Sequence, residues 1–176
     1  MIFLKRFILS LLLILTLIIL NKDKIVIPKE ALRIRVIASS NSSDDQKIKV
    51  DVKNELEDEI YYLLKDVKSI DKARVVINDN LGIIDNRINE LLKKNNYDIK
   101  YDLNFGYNYF PKKEYKGITY QDGMYESLVV TLGEGKGDNW WCVMFPPFCL
   151  IEAHDNNTTN IEYRWIIKDL INKYIK

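Results

Sequence analysis

Tyr97-Asp98-Ile99-Lys100-Tyr101-Asp102-Leu103-Asn104-Phe105-Gly106-Tyr107-Asn108-Tyr109 sets an aromatic or aliphatic side chain at every second position. Polar residues fill most of the places between. Period two is the mark of a strand, and it puts the aromatics on one face. Gly106 predicts a bulge or bend. Phe110-Pro111-Lys112-Lys113 reads as a turn and Tyr115 to Tyr120 as a short strand. Asp122-Gly123 then reads as a hairpin turn and Met124 to Leu132 as the return strand. Leu128-Val129-Val130-Thr131-Leu132 is apolar on both faces, which predicts a central strand.

Upstream, Leu32, Ile34, Val36 and Ala38 alternate with Arg33, Arg35 and Ile37, as in a half-buried strand. Ser39-Ser40-Asn41-Ser42-Ser43 is a turn. Ser43 with Gln46 forms a capping box, with Asp44 and Asp45 at the positive end of a helix dipole. Ile48, Val52, Leu56, Ile60, Leu63 and Val67 follow at helical intervals, which predicts a long amphipathic helix. Residues 69–78 fit a short strand by propensity, or a helix capped by Ser69 that buries Ile70, Ala73, Val76 and Ile77; the helix is the preferred reading. Asn80 then caps a helix burying Leu81, Ile84, Ile88, Leu91 and Leu92.

At the C-terminus, Thr159 with Glu162 forms a second capping box. Ile161, Trp165, Ile166, Leu170, Ile171, Tyr174 and Ile175 make one broad face of a helix over residues 160–176. These elements predict an α+β domain over residues 31–176. One small mixed or antiparallel sheet of about four strands packs against helices.

The chain has 176 residues, 47% of them hydrophobic and 29% charged, which is the composition of a globular protein. Setting aside Lys5 and Arg6 leaves 24 basic against 25 acidic side chains. So even a balance supplies no basic stripe, and no nucleic acid is expected as a partner.

Lys5-Arg6 precedes Phe7 to Leu20, an apolar run whose only polar members are Ser10 and Thr16. A short basic region followed by such a run is the pattern of an export signal. No pair of small residues suited to cleavage follows Leu20. Residues 1–21 therefore read as a signal peptide or a signal anchor, holding the membrane through residues 1–20, with residues 22–30 as a tether. The positive charges favour a cytoplasmic N-terminus and a translocated body.

Gly133-Glu134-Gly135-Lys136-Gly137 invites a phosphate-loop reading, but the spacing fails. Val130 stands where the first glycine should be, and Gly137 follows Lys136. A flexible turn explains the glycines. Next come Trp140-Trp141-Cys142-Val143-Met144-Phe145-Pro146-Pro147-Phe148-Cys149, large apolar residues around two prolines that remove backbone donors. The segment either folds into the core or forms an exposed apolar patch that meets a partner or membrane. Cys142 and Cys149 are the only cysteines. Export makes a disulfide between them plausible, and two buried thiols are the alternative. Closing so short a loop would contribute on the order of 2–3 kcal/mol, less any strain. Two Cys and the single His154 fall one ligand short of a tetrahedral zinc site, so neither metal nor cofactor is expected.

Gly-Glu-Gly-x-Gly-x-Asn-Trp-Trp-Cys-Val-x-Phe-Pro-Pro-x-Cys closely resembles the signature of stage II sporulation protein R, a family of endospore-forming bacteria. Leu32 to Asn41 with Asp45-Gln46, and Phe110-Pro111-x-x-x-Tyr115, also look like the family; the resemblance covers about residues 30–150. Ser39-Ser40-Asn41 departs from the Ala-Asn-Ser expected there. The resemblance implies a protein exported from the forespore into the space between forespore and mother cell. There it would activate SpoIIGA, a membrane-embedded aspartic protease of the mother cell, and so lead to processing of pro-sigma-E. It carries over no catalytic residue, so activation is expected by contact. Trp140, Trp141, Phe145, Pro146, Pro147 and Phe148 are the expected contact residues, stapled by Cys142–Cys149.

Two other classes remain open on the sequence. One is an exported cysteine-dependent hydrolase of cell wall or peptide, using Cys142 or Cys149. The other is a structural protein tethered at the septum.

Overall fold

A computed structural model describes residues 3, 5–8, 10–11, 25–115, 118–148 and 160–175. The protein is α+β, with two sheets where one was expected. In chain order the elements are β1 (Ile25–Val26), β2 (Leu32–Ile37), α1 (Ser43–Leu64), α2 (Ile70–Asp79), α3 (Leu81–Lys94), β3 (Tyr101–Phe110), β4 (Lys113–Tyr115), β5 (Ile118–Tyr120), β6 (Gly123–Leu132), β7 (Asn139–Phe145) and α4 (Asn160–Tyr174). The main sheet has the order β3-β6-β2-β7, and a smaller one has the order β1-β5-β4.

β6 is central, as its apolar run predicts. It pairs antiparallel with β3 and parallel with β2, and β2 pairs antiparallel with β7 on its other side. The expected hairpin between residues 115–120 and 124–132 does not form. β5 instead pairs with β4 and with β1. The pairing from Phe105↔Leu128 through Gly106↔Ser127 to Tyr107↔Glu126 is continuous, so Gly106 marks no bulge. Residues 25–27, read as part of a tether, belong to the body: Ile25 and Val26 pair with β5, and Ile27 is buried.

Helices cover one face of the main sheet. Leu32, Ile34 and Val36 of β2 and Leu128, Val130 and Leu132 of β6 point to that face by register. They share one core with Ile48, Val52, Leu56, Ile60 and Leu64 of α1. The strict four-residue row explains why Leu64 rather than Leu63 ends it. Each such side chain contributes about 1.5–3 kcal/mol on burial. The segment after Ser69 is helical, Ile70–Asp79: Ser69 Oγ accepts from the Lys72 N–H, and Ala73 and Ile77 are buried.

Local capping departs from expectation twice. The N-cap of α1 is Ser42, whose hydroxyl accepts from the Asp45 N–H at 3.2 Å; Gln46 donates instead to the Ser40 carbonyl at 2.9 Å. Asn80 holds the N-cap position of α3, but its side chain makes no cap hydrogen bond there. Its side-chain amide turns back and donates to the Val76 carbonyl at 2.7 Å, closing α2. In α4, Ile167 rather than Ile166 is buried. The Thr159 cap lies outside the described residues.

Part of the second face of the main sheet is closed to solvent, although Asp102 and Asn104 of β3 on that face stay exposed. The small sheet lies over the closed part, with Ile118 and Tyr120 buried and the Tyr120 ring edge-on to Trp141 at 5.2 Å. Near the N-terminus, residues 5–8 and 10–11 are helical, and the rest of the expected export segment lies outside the described residues. Among the described residues no helix is long and apolar enough to cross a membrane.

Candidate functional site

The Trp-Trp-Cys segment is a strand, not a loop. Asn139 to Phe145 forms β7, an edge of the main sheet, with Trp140, Trp141 and Cys142 opposite Val36, Arg35 and Ile34. Successive residues of a strand face opposite ways. The two tryptophans therefore sit on different sides of the sheet. Trp140 is on the helix side, with Lys53 Nζ 5.3 Å from its ring. Trp141 is on the small-sheet side, edge-on to Phe110 at 5.5 Å and to Tyr120 at 5.2 Å.

The turn that delivers β7 is locked to the start of α1. Lys136 N–H and Gly137 N–H donate to the carbonyls of Ser39 and Ala38, and Asp138 N–H donates to Asn41 Oδ1 at 2.6 Å. Gly133 and Gly135 have φ of 53° and 63°, in the left-handed region that favours glycine. At Gly137 a Cβ would collide with the Ser40 carbonyl. The glycines thus serve a backbone clamp between two turns, which leaves no phosphate loop to explain.

The expected contact residues divide by burial. Trp140, Trp141 and Pro147 are half-buried. Phe145, Pro146 and Phe148 are buried, Phe145 against Tyr174 at 5.2 Å between ring centres. These three belong to the core and brace the strand from within. Cys142 is disulfide-bonded and has no free thiol. Cys149 and His154 lie outside the described residues. Among the described residues no group of His, Cys, Asp and Glu is placed to hold a metal.

A cleft of about 230 Å³ runs beside β7, lined by Lys113, Tyr115, Tyr120, Trp140, Trp141 and Cys142. A smaller apolar cavity of about 130 Å³ lies at the other end of the strand, between Ile60 and Leu64 of α1 and Met144, Phe145 and Tyr174.

Arg33 is the residue that sequence reasoning missed. It stands at a position of β2 that alternates away from the helices, where a charge reads as solvent-facing. The small sheet covers it, and Arg33 is 0% exposed. Its guanidinium lies 3.4 Å from the centre of the Tyr125 ring, 5.0 Å from Phe110 and 5.1 Å from Trp141. None of its side-chain nitrogens has a hydrogen-bond partner. Burial lowers its pKa to about 10, partly offset by Tyr125 and Tyr120. No sequence signal announces this cage, because the strand that closes it is three residues long.

The model of the family described as stage II sporulation protein R matches residues 28–155. The chain belongs to this family. The protein named stage II sporulation protein R of Bacillus subtilis (strain 168) is similar to it, 38% identical over 132 residues, which is 75% of this chain and 59% of that relative. The chain thus spans somewhat under two thirds of the relative's length. No solved structure matches the chain. Within the stage II sporulation protein R match lie the main sheet, the glycine clamp, β7 and the Arg33 cage, while β1 precedes it. The family's name places the chain among sporulation proteins.

Proposed function

We propose that the protein is an exported signal of sporulation. It is made in the forespore, carried across the membrane with its body outside, and activates by contact the membrane-embedded aspartic protease of the mother cell. Processing of pro-sigma-E follows. Residues 1–20 either anchor the body to the membrane or are removed after export.

Family membership supports the setting, and the basic-then-apolar N-terminus supports export. The observation that carries the contact reading is β7. It is an edge strand with two half-buried tryptophans, braced from beneath by buried Phe145 and Phe148. Stiff aromatic residues on a fixed strand lose little entropy when a partner docks, and tryptophan is the residue type most enriched at binding hot spots.

Trp140→Ala tests this reading better than removal of both tryptophans, because Trp141 also walls the Arg33 cage. Its loss should weaken receptor binding by roughly 2 kcal/mol or more, about thirtyfold. In sporulating cells the variant should accumulate outside the forespore at normal levels and leave pro-sigma-E unprocessed. Normal processing would place the contact elsewhere.

A further inference from the structure

Among the described residues Arg33 is the one charged side chain in the core, and its nitrogens lack hydrogen-bond partners. Aromatic faces attract a cation but carry no net charge to neutralise it. A buried charge without a counter-charge is costly. The cage touches the cleft beside β7 through one shared wall, Trp141. Arg33 lies 5.1 Å from the centre of that ring and Lys113 Nζ 5.2 Å from it. Arg35 adds a third cation, 5.6 Å from Phe110, with its Nε also unpartnered.

Against these positive groups the cleft lining holds no acidic side chain among the described residues. Glu114 sits between Lys113 and Tyr115 on β4, so it faces the other way. Glu57, on the helix side, is in a salt bridge with Lys53. A walled cleft with one sign of charge focuses its field on an incoming ion of the opposite sign.

The geometry points to a binding site for an acidic segment of a partner protein. An Asp or Glu side chain enters the cleft, with Lys113 at its edge and Arg33 behind Trp141 supplying the attraction. This deepens the contact role proposed for β7 and rests on it. The cleft is small, about 230 Å³, and aromatic-walled, which suits one extended side chain better than the broad basic surface that anionic headgroups select.

The test uses full-length protein and a fluorescently labelled hexaglutamate peptide, read by anisotropy. Hexaglutamine and phosphatidylglycerol vesicles are the comparisons. Hexaglutamate should bind saturably and more weakly as salt rises, and hexaglutamine should not bind. Lys113→Glu, at an exposed position, should weaken binding on the order of tenfold or more. Arg33→Met, neutral and of similar length, should weaken it as well where it folds. Equal binding of hexaglutamine, unchanged binding by Lys113→Glu, or binding confined to the vesicles would each overturn the site. In cells, failure of Trp140→Ala together with normal processing by Lys113→Glu would keep contact signalling and remove the acidic partner. Normal processing by both would remove the contact reading itself.

Discussion

Phe145→Ala is expected to lower the unfolding free energy by about 3–5 kcal/mol. Phe145 is 1% exposed, sits across from Leu32 and packs edge-on against Tyr174. Truncation removes a full aromatic side chain and enlarges a cavity already present there, about 130 Å³ and lined in part by Phe145. The neighbouring strand cannot collapse into the gap, because β2 is held by pairing on both sides. A loss of that size is a large share of the roughly 5–15 kcal/mol that stabilises a domain. Pro147→Ala, at a half-buried position two residues on, should cost less than about 1 kcal/mol. Urea unfolding of the two variants checks the pair. A loss below about 1 kcal/mol for Phe145→Ala would return this residue to the surface and undo the division between bracing and contact residues.

Gly137→Ala should follow with a loss of about 3 kcal/mol, the upper end of the ordinary cost of overpacking. The new methyl would meet the Ser40 carbonyl, which is backbone and cannot swing aside. Relief requires the glycine turn to part from the Ser39–Asn41 turn, which breaks the bonds from Lys136 and Gly137 to Ser39 and Ala38. Those bonds set where β7 begins, so signalling should fall with stability. Gly82→Ala is the matched control. A Cβ there meets nothing within 4 Å, the site is helical, and a gain of about 0.5–1 kcal/mol is expected. Thermal unfolding of both variants reads the contrast, and equal effects would deny the clamp.

The helices were legible because a single face carries their burial. Ile48, Val52, Leu56 and Ile60 recur at four-residue spacing and all reach the core. β3 was legible from its alternation, although the alternation does not mean uniform burial. Leu103 and Phe105 lie partly buried, while Tyr107 and Tyr109 at the end of the same face are exposed. β7 was not legible as a strand. Its two faces are both covered, Cys142 beneath the helices and Val143 beneath the small sheet, so no period of two survives in Trp-Trp-Cys-Val-Met-Phe. The small sheet escaped for another reason. Strands of two or three residues carry too little pattern to be paired from sequence.

That short sheet accounts for most of what the site adds to the sequence reading. It turns the outer face of β2 into a second interior, and Arg33 from a solvated charge into a caged one. Coverage also divides the expected contact residues by burial. A run of large apolar residues gives the same signal whether it is core or interface. Burial separates them only in the fold: Phe145, Pro146 and Phe148 are core, while Trp140, Trp141 and Pro147 are half-buried.

The most direct measurement is photo-crosslinking in sporulating cells, with benzoylphenylalanine placed at residue 140 on β7 and, separately, at residue 107 on the opposite edge strand, β3. A crosslink from residue 140 to the mother-cell protease, absent from residue 107, is the predicted result. A crosslink to that protease from residue 107 alone would contradict it.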